Sequence, residues 1–191
     1  MPAPVLTPPS ASLRGKAVQH FTSDLTATWE ATAGDLFTDA AATVPYVAGV
    51  SRADVYLKAR NVTGGYTVTA TNGGAPTNAA VTITGEMPPL WEFRRPVTVR
   101  KRVRVFEPKD GPRQSRTDQG KKETWELANN DGFWEDYLEV EAFWDAHYPG
   151  KTFVLGDTTL EREITCYFDS DLKREASSDV SVAWSVVVKE A

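Results

Sequence analysis

Residues 133–153 read Phe133-Trp134-Glu135-Asp136-Tyr137-Leu138-Glu139-Val140-Glu141-Ala142-Phe143-Trp144-Asp145-Ala146-His147-Tyr148-Pro149-Gly150-Lys151-Thr152-Phe153. Phe133, Tyr137, Val140 and Trp144 fall at helical spacing, Trp134 and Leu138 widen the stripe, and Glu135, Asp136, Glu139 and Asp145 fill the rest of the arc. The pattern predicts an amphipathic helix over about 131–147, with Asn130 or Asp131 as its cap. Pro149 lacks an amide donor and Gly150 tolerates a left-handed backbone, so the helix ends there. Downstream, Val180, Val182, Trp184, Val186 and Val188 alternate with Ser181, Ala183, Ser185 and Val187, the period of a strand with one apolar face. That face needs a core, which the helix can supply through Tyr137, Trp144 and Phe133, together with Phe153 and Trp184.

Upstream of the helix, Val97, Val99, Val103 and Val105 alternate with Thr98, Arg100, Arg102 and Arg104, giving a strand with an apolar and a basic face, interrupted by Lys101 on the apolar side. A polar connection, 107–119, then holds Lys109, Arg113 and Arg116, and the chain returns through Lys121, Lys122 and the strand-like Trp125-Glu126-Leu127. A connection of that length between strands is usually functional or disordered.

The composition changes near Gly85-Glu86-Met87-Pro88-Pro89, from Ala, Thr, Val and Gly to Arg, Lys, Glu and Trp, so a domain boundary is placed there. Before it, residues 25–31, 53–59, 65–70 and 79–84 each read as a strand, with Gly64-Gly65 and Asn72-Gly73-Gly74 as turns. Short strands with turn signals and no helix suggest a small β-sandwich over 13–88. Residues 1–12, with Pro2, Pro4, Pro8 and Pro9, read as an extended arm reaching neighbours, and residues 89–191 form the second domain.

The chain has 191 residues and a net charge of -5, which argues against general nucleic-acid binding. No run approaches eighteen apolar residues, so no membrane span is expected, and the start lacks a signal-peptide pattern. The single cysteine, Cys166, alternates with Ile164 and Phe168, as a buried structural thiol would. Catalytic patterns fail on spacing. Gly150-Lys151-Thr152 lacks the earlier glycine of a phosphate loop, where Asp145 stands, and a helix precedes it instead of following it. His20 and His147 are far apart, and a histidine ending a helix more often engages carbonyls than a metal. Asp131, Glu135 and Glu139 suit a solvated helix face better than acid-base work, and Asp169-Ser170-Asp171 reads as a turn. Asn61-Val62-Thr63 matches a glycosylation acceptor but carries no weight without a secretion signal. No catalytic residue, cofactor or metal is expected.

Leu36-Phe37-Thr38-Asp39-Ala40-Ala41, Val44-Pro45-Tyr46-Val47-Ala48-Gly49, Val55-Tyr56-Leu57-Lys58-Ala59 and Gly65-Tyr66-Thr67-Val68-Thr69-Ala70-Thr71 resemble the cysteine-free immunoglobulin-like modules of bacterial surface and phage virion proteins. Residues 91–191 resemble the tail-tube, distal tail and minor tail families of long-tailed phages. The elements concerned are Trp125-Glu126-Leu127, Glu141-Ala142-Phe143-Trp144-Asp145 and Gly150-Lys151-Thr152-Phe153. The resemblance implies a mainly β chain: an N-terminal immunoglobulin-like β-sandwich plus a tail-tube-like β-sandwich flanked by one α-helix.

It further implies a non-enzymatic virion protein made in the host cytoplasm, forming a homo-oligomeric ring, a hexamer, that contacts neighbouring tail proteins and lies close to DNA in the lumen. An N-terminal module departs from the usual order, since such modules more often follow the tube fold, and this leaves the role within the tail open. A basic strand and loop opposite an acidic helix favour head-to-tail association, although the same charges suit a monomer's solvated surface. The interface residues expected on this reading are Pro4, Pro8, Arg100, Arg102, Arg104, Lys109, Arg113, Arg116, Lys121 and Lys122. The alternative from a different class is a carbohydrate- or host-surface-binding module using exposed aromatics of the first domain, and a third is an accessory domain of an enzyme.

Overall fold

In the computed structural model, residues 2–8, 10–88, 93, 97–101, 122–157, 162–176 and 181–191 are described. The chain is mainly β, of β-sandwich class, with one helix among the described residues. It divides into two compact units, Met1–Glu86 and Met87–Ala191, inside the stretch where the composition changes.

The first unit holds β1 (Leu6–Thr7), β2 (Ser10–Arg14), β3 (Val18–Ala31), β4 (Gly34–Phe37), β5 (Arg52–Ala59), β6 (Gly64–Asn72) and β7 (Ala75–Glu86). The long β3 serves two sheets. Its first part pairs antiparallel with β1 and β5, and β4 lies outside β5. Its last four residues pair with β6, followed by β7, along which β2 runs parallel. The register of β3 against β5 shifts between Thr22 and Ala27, the local irregularity that lets one strand turn from one sheet to the next. Between the sheets lie Phe21, Trp29, Val55, Leu57, Val68, Val81 and Ile83, all buried. Each comes from the alternating positions of its strand.

The β6–β7 hairpin closes through Gly73 and Gly74, both at positive φ (55° and 88°), between the paired Asn72 and Ala75. A two-residue turn with that backbone needs glycine. The segment expected as a reaching arm is instead laid against its own unit. Leu6 and Pro4 are buried, and Leu6–Thr7 and Ser10–Arg14 are strands. Burial of Leu6 outweighs the freedom of a proline-rich tail, at about 1.5–3 kcal/mol for such a side chain.

The second unit holds β8 (Thr98–Lys101), β9 (Thr124–Phe133), α1 (Trp134–His147), β10 (Phe153–Asp157), β11 (Arg162–Phe168), β12 (Lys173–Ala176) and β13 (Ser181–Glu190). Its strands are antiparallel in the order β10-β11-β13-β9-β8, and β12 also pairs with β13. Trp125 and Leu127 of β9, Ile164, Cys166 and Phe168 of β11, and Val182, Trp184, Val186 and Val188 of β13 are buried in one cluster. Cys166 is thus buried, paired in register with Phe153.

The helix differs from its expected form in two ways. It starts at Trp134, not near 131, because the backbone up to Phe133 is paired with β13 through Val182↔Gly132 and Ser181↔Phe133. Asn130 and Asp131 are therefore strand residues and cap nothing; the cap position is Phe133, with no side-chain bond. Glu135 and Asp136 in the first turn offset the positive helix end. The buried face is also rotated. Tyr137, Val140, Phe143 and His147 point inward, whereas Leu138 is 54 % exposed and Trp134 and Trp144 sit at the flanks.

Phe143 decides the rotation. Its ring meets Phe153 at 5.2 Å and Phe168 at 6.1 Å, both edge-on, an arrangement that favours aromatic clusters. Trp144 instead stacks on Tyr148 at 4.6 Å and donates Nε1–H to the Ser170 carbonyl. Beyond the helix, Tyr148 adopts the extended backbone that a following proline requires, and Gly150 has φ 90°.

Candidate assembly surface

β8 ends the order of described strands in the second unit, so one of its backbone edges faces no described partner. Val97 and Val99 pack on the core, and Thr98 between them and Arg100 after them are exposed. The alternation of one apolar and one basic face therefore holds over 97–100. Arg100 sits opposite Glu126 and Lys101 opposite Trp125. Among the described strands β8 is thus a terminal one bearing an exposed positive charge, a device that limits indiscriminate pairing at a sheet edge while leaving room for a chosen partner. Lys122, just before β9, is exposed. Arg102, Arg104, Lys109, Arg113, Arg116, Lys121 and the connection 107–119 lie outside the described residues.

The outward face of α1 has the opposite sign. Glu135, Leu138, Glu139, Ala142 and Asp145 are exposed, and Leu138 is the one large apolar side chain of the helix on that side. An aromatic and charged cluster holds the flank of the helix around Trp134 and Tyr137. Arg174 of β12 lies over the rings of Trp134 and Tyr137, 5.7 Å from each centroid. The Tyr137 hydroxyl donates to Glu141 at 2.6 Å. Burial, with that bond, pushes the Tyr137 phenol up to about 12. At the other end, burial holds His147 below its ordinary value, so the ring is neutral near pH 7 and donates Nδ1–H to the Phe143 carbonyl. It engages a carbonyl, as its place at a helix end suggested, but from within the core. Asp171 beside Tyr148 raises that phenol.

Of the other residues expected at an interface, Pro4 is buried and Pro8 half-buried in the first unit. Asp169-Ser170-Asp171 forms a bend whose Ser170 Oγ accepts from Val187 N–H. The Asn61 amide pairs with the backbone of Glu86 on both sides, at 2.8 Å each, which accounts for this residue structurally. Among the described residues no three His, Cys, Asp or Glu side chains gather as a metal site, and no helix is long and apolar enough to cross a membrane.

Two surface features were not read from the sequence. The loop after β4 carries Val44, Val47 and Val50 at 54 %, 67 % and 49 % exposure, yet it is well held. Asp39 accepts from Val44 N–H (2.7 Å), Thr43 N–H and the Thr43 hydroxyl, and these bonds, that of Val44 first, keep its carboxyl below the usual range. The second feature lies on the outer face of the first sheet. His20 of β3 pairs with Tyr56 of β5, Tyr56 with Phe37 of β4, and Phe37 with Pro45. The strand periods of β3 and β5 would have shown His20 and Tyr56 facing outward, because Phe21, Val55 and Leu57 face inward. The register that aligns them is not encoded in either strand alone.

The chain matches no family model and is similar to no curated protein sequence.

Proposed function

We propose that the chain is a structural component of a phage tail, in the tip or the tube, that assembles head to tail into a ring, with its first unit as an immunoglobulin-like module displayed outward. The observation that carries this reading is the pairing, within one unit, of a charged edge strand and an oppositely charged helix face. Arg100 is exposed on β8, and Glu135, Glu139 and Asp145 are exposed on α1. Surfaces of opposite sign on different flanks of one body favour heterologous contacts, which close into rings when the rotation permits. A sheet edge adds backbone groups that a neighbouring copy can pair. The resemblance of residues 91–191 to tail proteins supports the same reading and implies a hexameric ring in the virion, adjoining other tail proteins and DNA in the lumen.

The test is electron microscopy of the purified chain at rising concentration and of the native particle. Rings or stacked tubes, and a position in the tail at a ring's copy number, are the expected results. A single soluble subunit with enzymatic turnover would end this reading. Removal of residues 107–119 is expected to leave the fold intact and to block assembly; unchanged assembly would refute a role for that connection.

A further inference from the structure

We infer that Asn72 is a site of spontaneous modification, at which the backbone nitrogen of Gly73 displaces the side-chain amide and leaves aspartate or isoaspartate at the tip of the β6–β7 hairpin. The inference stands apart from the assembly reading, since it concerns the chemistry of the first unit and involves no partner.

An asparagine side chain is an amide whose carbonyl carbon, Cγ, can be reached by the backbone nitrogen of the next residue. Hydroxide removes the proton from that nitrogen, which then attacks Cγ. The N–Cγ bond forms, the Cγ–Nδ2 bond breaks, and the departing group takes a proton from water and leaves as ammonia. Water opens the remaining five-membered cyclic imide at either carbonyl. Opening at Cγ gives aspartate; opening at the backbone carbonyl gives isoaspartate, whose main chain runs through Cβ and Cγ. In sum an amide and water become an acid and ammonia, with no oxidant, reductant or enzyme.

The reaction needs an unbound side chain, an unbound nitrogen and room for the ring, and the fold provides all three at Asn72. This residue ends β6, is half-buried, and its side chain bonds to no other described residue. Gly73 and Gly74 are exposed, and the Gly73 N–H has no backbone partner among the described residues. Glycine has no Cβ to shield its nitrogen. The Asn72 backbone must rotate to bring Cγ onto that nitrogen, so the rung Asn72↔Ala75 has to open. It is the last rung of the hairpin, and end rungs open most readily.

The other four asparagines are blocked, each at a different atom. Both polar atoms of the Asn61 side chain bond to the Glu86 backbone at 2.8 Å. The Oδ1 of Asn78 accepts from the Thr69 hydroxyl at 2.8 Å, and Ala79 after it lies in the ladder opposite Val68. Asn129 is buried, and its Oδ1 accepts the Asp131 N–H, the nitrogen that Asn130 would need. Asp131-Gly132 can close the same imide with loss of water, but Gly132 is buried and paired with Val182.

The product differs from its parent in charge and in backbone length. No charged side chain occurs from Asn61 through Gly85, so the new carboxylate is the only charge on the hairpin. Isoaspartate adds one main-chain carbon, which a two-residue turn cannot hold without moving residue 72 off Ala75.

The experiment is incubation of the full chain at 37 °C, at pH 7.5 and 8.5, sampled by ion exchange, peptide mass mapping and isoaspartate methyltransferase labelling. A more acidic species is expected, with its mass gain and its isoaspartate confined to the peptide that holds Asn72. It should form roughly tenfold faster at the higher pH, because the deprotonated fraction of a weak acid far below its pKa rises in that proportion. Asn72→Gln keeps the amide but requires a larger ring, and is expected to yield none of this species. A parallel incubation in urea separates fold from sequence, since Asn130 and Asp131-Gly132 are expected to react only there. Absence of conversion at Asn72 in the folded chain, whatever the unfolded chain does, would overturn the site. So would conversion of the folded chain at Asn130 or Asp131-Gly132, or an equal acidic species from Asn72→Gln. In the purified isoaspartate form, hydrogen exchange at Ala75 should accelerate, and an unchanged rate would overturn the displaced turn.

Discussion

His147 donates its Nδ1 hydrogen to the carbonyl oxygen of Phe143, 2.8 Å away and one helical turn earlier, while the two rings lie 4.1 Å apart. The contact ties the last turn of α1 to the aromatic cluster that holds the helix on its sheet. The bond by itself favours the protonated ring, but His147 is wholly buried, and burial, the larger effect, lowers its pKa from the ordinary 6.5.

From this the pH dependence follows. A histidine whose folded pKa is depressed leaves stability unchanged while both states are neutral, above about pH 7. Below about pH 6.5 the unfolded chain takes up the proton first. Stability then falls by up to about 1.4 kcal/mol per pH unit until the folded pKa is reached. Urea midpoints between pH 7.5 and 5 are expected to drop more in the native protein than in His147→Gln. Parallel curves for the two would contradict the neutral buried ring.

A second prediction concerns the exposed valine loop. The Tyr46 hydroxyl accepts from the Trp29 N–H at 3.1 Å and donates to the Val50 carbonyl at 2.6 Å, so one oxygen joins the loop to the buried part of β3. Tyr46→Phe removes it and deprives a buried donor of that partner. The expected loss is about 1–3 kcal/mol in equilibrium unfolding. Hydrogen exchange at Trp29 should accelerate as well, and an unchanged rate would show that the hydroxyl does not hold the strand.

Much of this architecture was legible because it rests on local alternation. The last strand and the β6–β7 turn need only a period of two and a pair of glycines, and both stand in the sequence. The phase of α1 was not legible, since Phe143 and Trp144 are adjacent aromatics and either completes a helical stripe. Only Phe153 and Phe168, brought from other strands, favour Phe143. The helix start was hidden for a similar reason: Asn130 and Asp131 are good caps, but β9 runs on through them, with Asn129 and Gly132 on either side paired with β13. Pro4 and Leu6 look like part of a tail until β3 offers them a place to bury. Of the candidate interface, Arg100 was readable as an outward residue from its alternation with Val97 and Val99, whereas its position opposite Glu126 depends on register.

The helix phase makes a paired prediction. Phe143→Ala empties a site among Phe153, Phe168 and His147, and large aromatic truncations of this kind cost about 3–5 kcal/mol. Leu138→Ser, on the exposed side, should change stability by no more than about 0.5 kcal/mol. The original stripe of Tyr137, Val140 and Trp144 flanked by Leu138 predicts a much larger effect for Leu138. Chemical denaturation of the two variants distinguishes the phases.

The edge strand carries the last prediction. Arg100 faces Glu126 across the β8–β9 ladder, so Arg100→Glu places like charges opposite each other. Such a pair costs roughly 0.2–1 kcal/mol, too little to unfold the unit. In the proposed ring the same change removes a positive charge from the surface that meets an acidic helix face, and adds repulsion there. Assembly measured by sedimentation should therefore fall sharply in Arg100→Glu and moderately in Arg100→Ala, with far-ultraviolet circular dichroism unchanged in both. Raising salt should weaken native assembly toward that of Arg100→Ala, because exposed charge pairs are screened. Native-level assembly by Arg100→Glu would remove β8 from the interface.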